Sequence, residues 1–253
     1  MTAALKKISE ACIYLLHNYP GAQQVREYLN GRLTPESQNK FGFGYFPPLE
    51  ELSALTDLIS EEILISVGLM RVSQIDDTGP YIKKRLHFQY HPMIMPFHNT
   101  YGEVAGLVGR TMLPETEWKA KKIDKYKNTS PFKKGNYLFG LYHNKRDIIE
   151  AGACYVVEGQ FDVIKAGERG IRNIVGIGNN RFSNYQYSVI SRYTNNLILL
   201  LDNDEGGEKG RHSIQRKFGE MANIQNFYVP EGFKDIDEYL TKVEGEPEFV
   251  VIG

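Results

Sequence analysis

Six acidic residues in the second half of this chain stand at spacings that suit metal chemistry. Glu158 and Asp162 lie four apart in VVEGQFD, Asp202 and Asp204 end the run NLILLLDND, and Asp235 and Asp237 stand in KDIDEYL. Residues i and i+2 of an extended segment point the same way, so each aspartate pair can project together. Grouped carboxylates raise one another's pKa unless a cation lies among them. An all-oxygen set suits a hard divalent ion, and Mg²⁺ in such a site keeps waters and takes substrate phosphate. A metal held this way stabilises charge in phosphoryl transfer. The competing explanation of a lone Asp-x-Asp after a strand is a helix cap or a solvated loop. Acids after three separate strands, each near a glycine or a helix start, favour the metal.

The elements that must position these acids follow from the patterning between 151 and 253. ACYVVE (153–158), NIVGIG, NLILLLD and QNFYVP are continuous apolar runs, the mark of strands buried on both faces. FDVIKAGERG, SNYQYSVISRY with Ser183 as its cap, and GGEKGRHSIQRKFGEM alternate with them as helices. Strand and helix in alternation predict a parallel sheet with helices on both faces. In such sheets the working site lies beyond the carboxyl ends of the strands, where these acids fall. Gly206 and Gly207 let the backbone turn closely into the next helix. Before 150 the pattern is mixed. Residues 1–30 are helical apart from a break at Tyr19-Pro20-Gly21, and FGFGYFPP (41–48) is irregular. Helical patterns return over 49–56 and 60–68, with Ser60 as a cap, and MIMPFHN and EVAGLVGR are two strands around a turn. The fold class expected is α/β: a parallel sheet flanked by helices, preceded by a mixed α+β unit.

Composition narrows the partners. The 253 residues carry a net charge of −1, but residues 1–150 hold 19 basic and 16 acidic residues, against 11 and 15 in residues 151–253. Residues 118–134 hold seven lysines and one aspartate. A basic segment beside an acidic centre suggests a polyanion held near a metal. No apolar run is long enough to span a bilayer, and the N-terminus has the pattern of an amphipathic helix, not of a signal peptide. Cys12 and Cys154 are too few for a thiolate zinc site and are expected as free thiols in a reducing cytoplasm.

VVEGQFDVIKA followed by LLLDNDEGGEKG resembles a Toprim domain. With REYLNGRL, FGFGYFPP, MIMPFHNTYGEVAGLVGR, KYKNTSPFKKGNYLFGLY and GFKDIDEYL in that order, residues 22–242 resemble the catalytic core of a bacterial, DnaG-type DNA primase. The resemblance implies an N-terminal basic subdomain over 1–148. It implies a Toprim catalytic subdomain over 149–253 that includes the start of a C-terminal helical region. It implies RNA primer synthesis on single-stranded DNA from nucleoside triphosphates, with two or more Mg²⁺ or Mn²⁺ ions. Glu158, Asp202 and Asp204 would hold the catalytic metals, and Asp162, Asp235 and Asp237 would complete the cluster. Arg32, Arg110, Lys125, Asn128 and Lys134 would line a groove for template backbone or incoming triphosphate. The expected location is the cytoplasm of a bacterial or phage-infected cell.

The departures are specific. The family usually has EGYMD and DGDxAG where this chain has EGQFD and DNDEGG, and His91-Pro92 stands where an arginine is expected. Neither the family's zinc-binding module nor its helicase-binding domain has a counterpart here. That suggests a phage or mobile-element protein or a piece of a longer one, served by a replicative helicase or a separate template-recognition module. Toprim alone also fits a metal-dependent nuclease, and a non-catalytic single-strand-binding module is a third possibility. Lys119, Lys121 and Lys122 have a plainer explanation as a solvated loop. His87, His91 and His98 group loosely, and packing explains them better than zinc. GIGNN (176–180) is a weak phosphate-loop candidate.

Overall fold

The computed structural model describes residues 1–74, 82–178 and 181–252. The chain forms two compact units, Met1–Phe97 with Glu103–Phe132, and His98–Gly102 with Lys133–Gly253. Residues 133–148, grouped with the N-terminal part in the sequence, therefore belong to the second unit.

In the first unit α1 (Thr2–Asn18) buries Leu5, Ile8, Cys12, Leu15 and Leu16, an apolar stripe at spacings of three and four. It ends where Tyr19, held extended before Pro20, leaves the helical region. The other helices are α2 (Gln23–Asn30), α3 (Pro35–Phe41), α4 (Ser53–Thr56), α5 (Glu61–Ser66) and α6 (Glu115–Ala120). Strands β1 (Gly44–Tyr45), β2 (Met70–Gln74), β3 (Ile82–Leu86), β4 (Met93–His98), β5 (Val104–Arg110) and β6 (Tyr126–Asn128) make two sheets. One is ordered β1-β4-β5-β6, and the other is the two-stranded antiparallel ribbon β2–β3. Gly44 lets β1 cross α1, since a Cβ there would lie 2.7 Å from the Cys12 Cβ.

The second unit contains α7 (Leu141–Ala151), β7 (Cys154–Val157), α8 (Gln160–Glu168), β8 (Ile174–Gly176), α9 (Asn184–Ile190), β9 (Asn196–Leu199), α10 (Glu205–Phe218), β10 (Asn223–Tyr228), α11 (Ile236–Lys242) and β11 (Val250–Ile252). Its sheet is ordered β11-β10-β9-β7-β8. The four strands read as apolar runs pair in parallel, and β11 adds to β10 antiparallel. Where the sequence suggested the start of a helical region, the chain has only the seven-residue α11 before returning as this edge strand. Val156, Val175, Leu197 and Leu199 of the sheet pack with Ile190, Ile214 and Phe218 of the helices. Cys12 and Cys154 are buried free thiols. Among the described residues no helix is long and apolar enough to cross a membrane.

Candidate active site

The acids gather at the carboxyl end of the parallel sheet. Glu158 follows β7, Asp162 lies in the first turn of α8, and Asp202 and Asp204 lie between β9 and α10. Asp235 and Asp237 open α11. Three of the six also cap helices. Asp204 Oδ1 accepts from the Gly207 N–H at 2.9 Å, Asp235 Oδ1 from the Glu238 N–H at 2.8 Å, and Asp162 Oδ2 from the Gly159 N–H at 2.7 Å. The cap and the metal ligand are thus not exclusive, because each such bond engages one carboxylate oxygen and leaves the other.

The electrostatics show acids short of counter-charge. Burial, then the charges of Asp202 and Asp204, push Glu158 up to about 7. Burial, then the charges of Asp235, Asp202 and Asp237, push the buried Asp162 up to about 8. Asp202 is also raised, chiefly by burial, although Lys234 pulls the other way. Lys234 Nζ lies 3.3 Å from Asp202 Oδ2. Burial opposes the Lys234 charge, but Asp202, Asp235 and Asp204 outweigh it and hold its pKa above the ordinary lysine value. Among the described residues, no three His, Cys, Asp or Glu side chains converge into a ready-made metal cage. The donor set nonetheless fits a hard divalent cation: oxygen donors only, several with a second oxygen uncommitted to a cap, and a net negative field that a lysine now partly offsets.

The loops are stitched into place. Asn203 donates its Nδ2 to the carbonyls of Val229 (2.9 Å) and Phe233 (3.2 Å), and its N–H to the Lys234 carbonyl at 2.7 Å. This ties the loop after β9 to the loop after β10, and so Asp202 to Lys234 and Asp235. Arg211, buried on α10, donates to the carbonyls of Leu199, Leu201 and Phe227 and fixes the ends of both strands. Gly176 packs the other side, since a Cβ there would stand 2.8 Å from the Gly159 carbonyl oxygen. Of GIGNN, Asn179 and Asn180 lie outside the described residues; Gly178 donates its N–H to the Glu158 carbonyl at 2.9 Å.

The basic candidates divide between the units. In the first unit Arg32 and Arg110 both lie over the Tyr28 ring, 5.5 and 4.5 Å from its centroid, and Arg32 Nη1 donates to the Tyr28 hydroxyl at 2.5 Å. Arg110 pairs with Tyr126 across β5 and β6, Lys125 lies over the Tyr126 ring, and Asn128 ends β6. Lys134 belongs to the second unit, in a 3₁₀ turn, where burial lowers its pKa. Lys119 lies on α6 and Lys121 caps its end, where the sequence suggested a loop; they pair with Glu115 and Glu117 at 2.6 and 2.5 Å.

The N-terminal half of the chain, residues 13–145, matches the family described as DNA primase catalytic core, N-terminal domain, and residues 155–240 match a Toprim-like family. The chain belongs to the DNA primases. It is 29% identical to the DNA primase of Aquifex aeolicus over 236 residues, 92% of this chain and 45% of that protein. It is 31% identical to the DNA primase of Synechococcus elongatus over 243 residues, 88% of this chain and 32% of that one. The crystal structure of the zinc-binding and RNA polymerase domains of the A. aeolicus primase superposes with a TM-score of 0.73 at 28% identity, covering 95% of this chain and 57% of the other. The chain thus spans less than half the length of these curated primases.

Against the usual primase pattern, the departures acquire physical roles. Asn203, between the two aspartates, supplies the stitch to the loop after β10. In the His91-Pro92 region, His91 is buried and bonds through Nε2 to the Asp124 carbonyl at 2.8 Å, while His87 Nε2 bonds to the Asn128 carbonyl at 2.7 Å. These two histidines, four apart, grip carbonyls four apart and hold the segment that carries Lys125 and Asn128. Burial lowers the pKa of both, and the imidazole N–H donates to the carbonyl in each case. His98 lies in the second unit beside Tyr142 and His143. Lys234 and Arg211 were missed in the sequence, and His87 and His91 were read there only as packing residues. Lys234 had a signal there, a lysine directly before the last acidic pair.

Proposed function

We propose that this chain is the catalytic core of a DNA primase, a DNA-directed RNA polymerase that joins nucleotides into short primers on single-stranded DNA. One observation carries the proposal: in a chain of the primase family, six carboxylates stand at the carboxyl end of one parallel sheet, with Lys234 paired to Asp202 among them. Glu158, Asp202 and Asp204 hold the catalytic ions, two or more of Mg²⁺ or Mn²⁺, and Asp162, Asp235 and Asp237 complete the cluster. Divalent cations there supply Lewis acidity and charge neutralisation for nucleotidyl transfer. Asp202 gives up its pairing with Lys234 as it takes up that role. Arg32, Arg110, Lys125, Asn128 and Lys134 contact template phosphates or the incoming triphosphate. Such contacts position nucleic acid without reading its sequence. A replicative helicase or a separate zinc-binding module supplies template selection, in the cytoplasm of a bacterial or phage-infected cell.

Asp204→Asn tests the proposal, because asparagine can keep the cap on α10 while removing the charge. With single-stranded DNA, ribonucleotides and Mg²⁺ or Mn²⁺, incorporation should fall by about a hundredfold or more at unchanged melting temperature, as losing several kcal/mol of charge stabilisation requires. Full activity in the variant would sink the metal assignment. Metal-dependent nicking without nucleotides, in place of synthesis, would favour a nuclease.

A further inference from the structure

We infer that the outward face of the β2–β3 ribbon is a second binding surface for the phosphodiester backbone of nucleic acid, distinct from the residues assigned above. It rests on the primase proposal and extends it.

The register decides the faces. Arg71 stands directly opposite Arg85, and Ser73 opposite Lys83. Residues directly opposite share a face, and alternation puts these four together. Arg71, Lys83 and Arg85 are all exposed. The other face carries Met70 and Leu86, both buried, with Val72 and Lys84. Among the described residues the ribbon's ion pair is on that inner face, Lys84 to Glu61 at 2.5 Å. Among the described residues, Arg71, Lys83 and Arg85 take part in no ion pair.

Like charges directly opposite one another destabilise a strand pair, and an isolated two-stranded ribbon has little stability to spare. Two arginines at one rung and a lysine at the next make a poor structural choice and a good anion surface. The strip also continues. The His87 N–H bonds to the Leu69 carbonyl, which prolongs the pairing, and the charges of both Arg71 and Lys127 bear on the His87 ring. Lys127 lies in the segment gripped by His87 and His91. Cationic positions therefore run from Lys83 through the Arg71–Arg85 rung to Lys127. Lys83 to His87 spans four residues, about 13 Å at strand rise, or about four nucleotides at ~3.4 Å each. A repeated, sequence-blind polyanion matches this row, and a β-ribbon is a shape that nucleic acid accommodates.

The test is the salt dependence of binding to a fluorescent single-stranded DNA 20-mer by the full chain. It compares the wild type with the triple variant Arg71→Gln, Lys83→Gln, Arg85→Gln. Lys119→Gln with Lys121→Gln, which removes lysines already paired to glutamates, is the control. At ~0.7 per phosphate contact on a single strand, the slope of log K against log salt should become shallower by about two in the triple variant and stay unchanged in the control. Mn²⁺ binding should be retained, and the melting temperature should be unchanged or higher as the opposed like charges are removed. An unchanged slope would overturn the inference while leaving the primase proposal standing. So would loss of binding to a polyglutamate peptide with DNA binding intact, which would make the partner an acidic protein segment. A wild type that binds no DNA would overturn both.

Discussion

Gly207 holds the turn after Asp202 more strictly than its neighbour. A methyl at 207 would lie 2.0 Å from the Asp202 carbonyl oxygen and 2.9 Å from its carbon, both backbone atoms; at 206 the nearest atom is the Asp204 carboxylate at 3.0 Å. Gly207→Ala must therefore move the aspartate loop. It should cost about 2 kcal/mol or more and weaken Mn²⁺ binding, whereas Gly206→Ala should be mild on both counts; paired thermal melts and metal titrations check this. A second residue-scale prediction comes from the raised carboxyls. In the fold Glu158 titrates near 7 and Asp162 near 8, against about 4 in an unfolded chain. The folded state thus binds more protons between those limits, and its stability falls as pH rises through the window from about 4 to about 8. The metal-free protein should melt lower at pH 8 than at pH 6, and Asp162→Asn should flatten the difference. A melting temperature that rises over that interval would contradict the assignment.

At the scale of elements, the strand ends that carry the acids are held by side chains outside the acidic set, Arg211 above all. Arg211→Met would leave the carbonyls of Leu199, Leu201 and Phe227 without their donor, at about 3 kcal/mol or more for buried acceptors. Urea denaturation should show that loss, and a neutral substitution would mean the strand ends have another support. The parallel sheet was legible because β7, β8 and β9 are continuous apolar runs punctuated by glycine and by caps. Ser183 caps α9 as its sequence suggests, accepting from the Gln186 N–H at 3.0 Å. Ser60 makes no such cap, and its hydroxyl lies instead on the Glu62 carboxylate. Strands β2 and β3 escaped notice because IKKRL puts three consecutive charges on both faces and MRVSQ holds only two apolar residues. Edge strand β11, three residues long, gives too short a pattern. The acids were readable from their places after strands, and a helix cap was read there as the rival of a metal ligand; that a cap leaves the second oxygen available was not readable. It depends on which oxygen each one turns to a backbone N–H.

At the scale of the whole chain, the charge asymmetry of the sequence shrinks across the two units, to 15 basic and 14 acidic residues in the first and 15 and 17 in the second, because Lys133, Lys134, Lys145 and Arg146 fall in the second. The basic constellation of Arg32, Arg110, Lys125 and Asn128, and the cationic ribbon, belong to the first; the acidic centre and Lys134 belong to the second. Under the proposed function, one unit would handle the polyanion and the other would hold the metal. The central claim is that the acids of the second unit act together as a site for a divalent cation. Mn²⁺ binding, followed by the paramagnetic resonance signal of the free ion, tests it without relying on catalysis. The wild type should bind saturably, and Glu158→Gln, Asp202→Asn and Asp204→Asn should each weaken binding about tenfold or more while remaining folded. A wild type that binds no Mn²⁺, or folded variants that bind it as tightly as the wild type, would contradict the account.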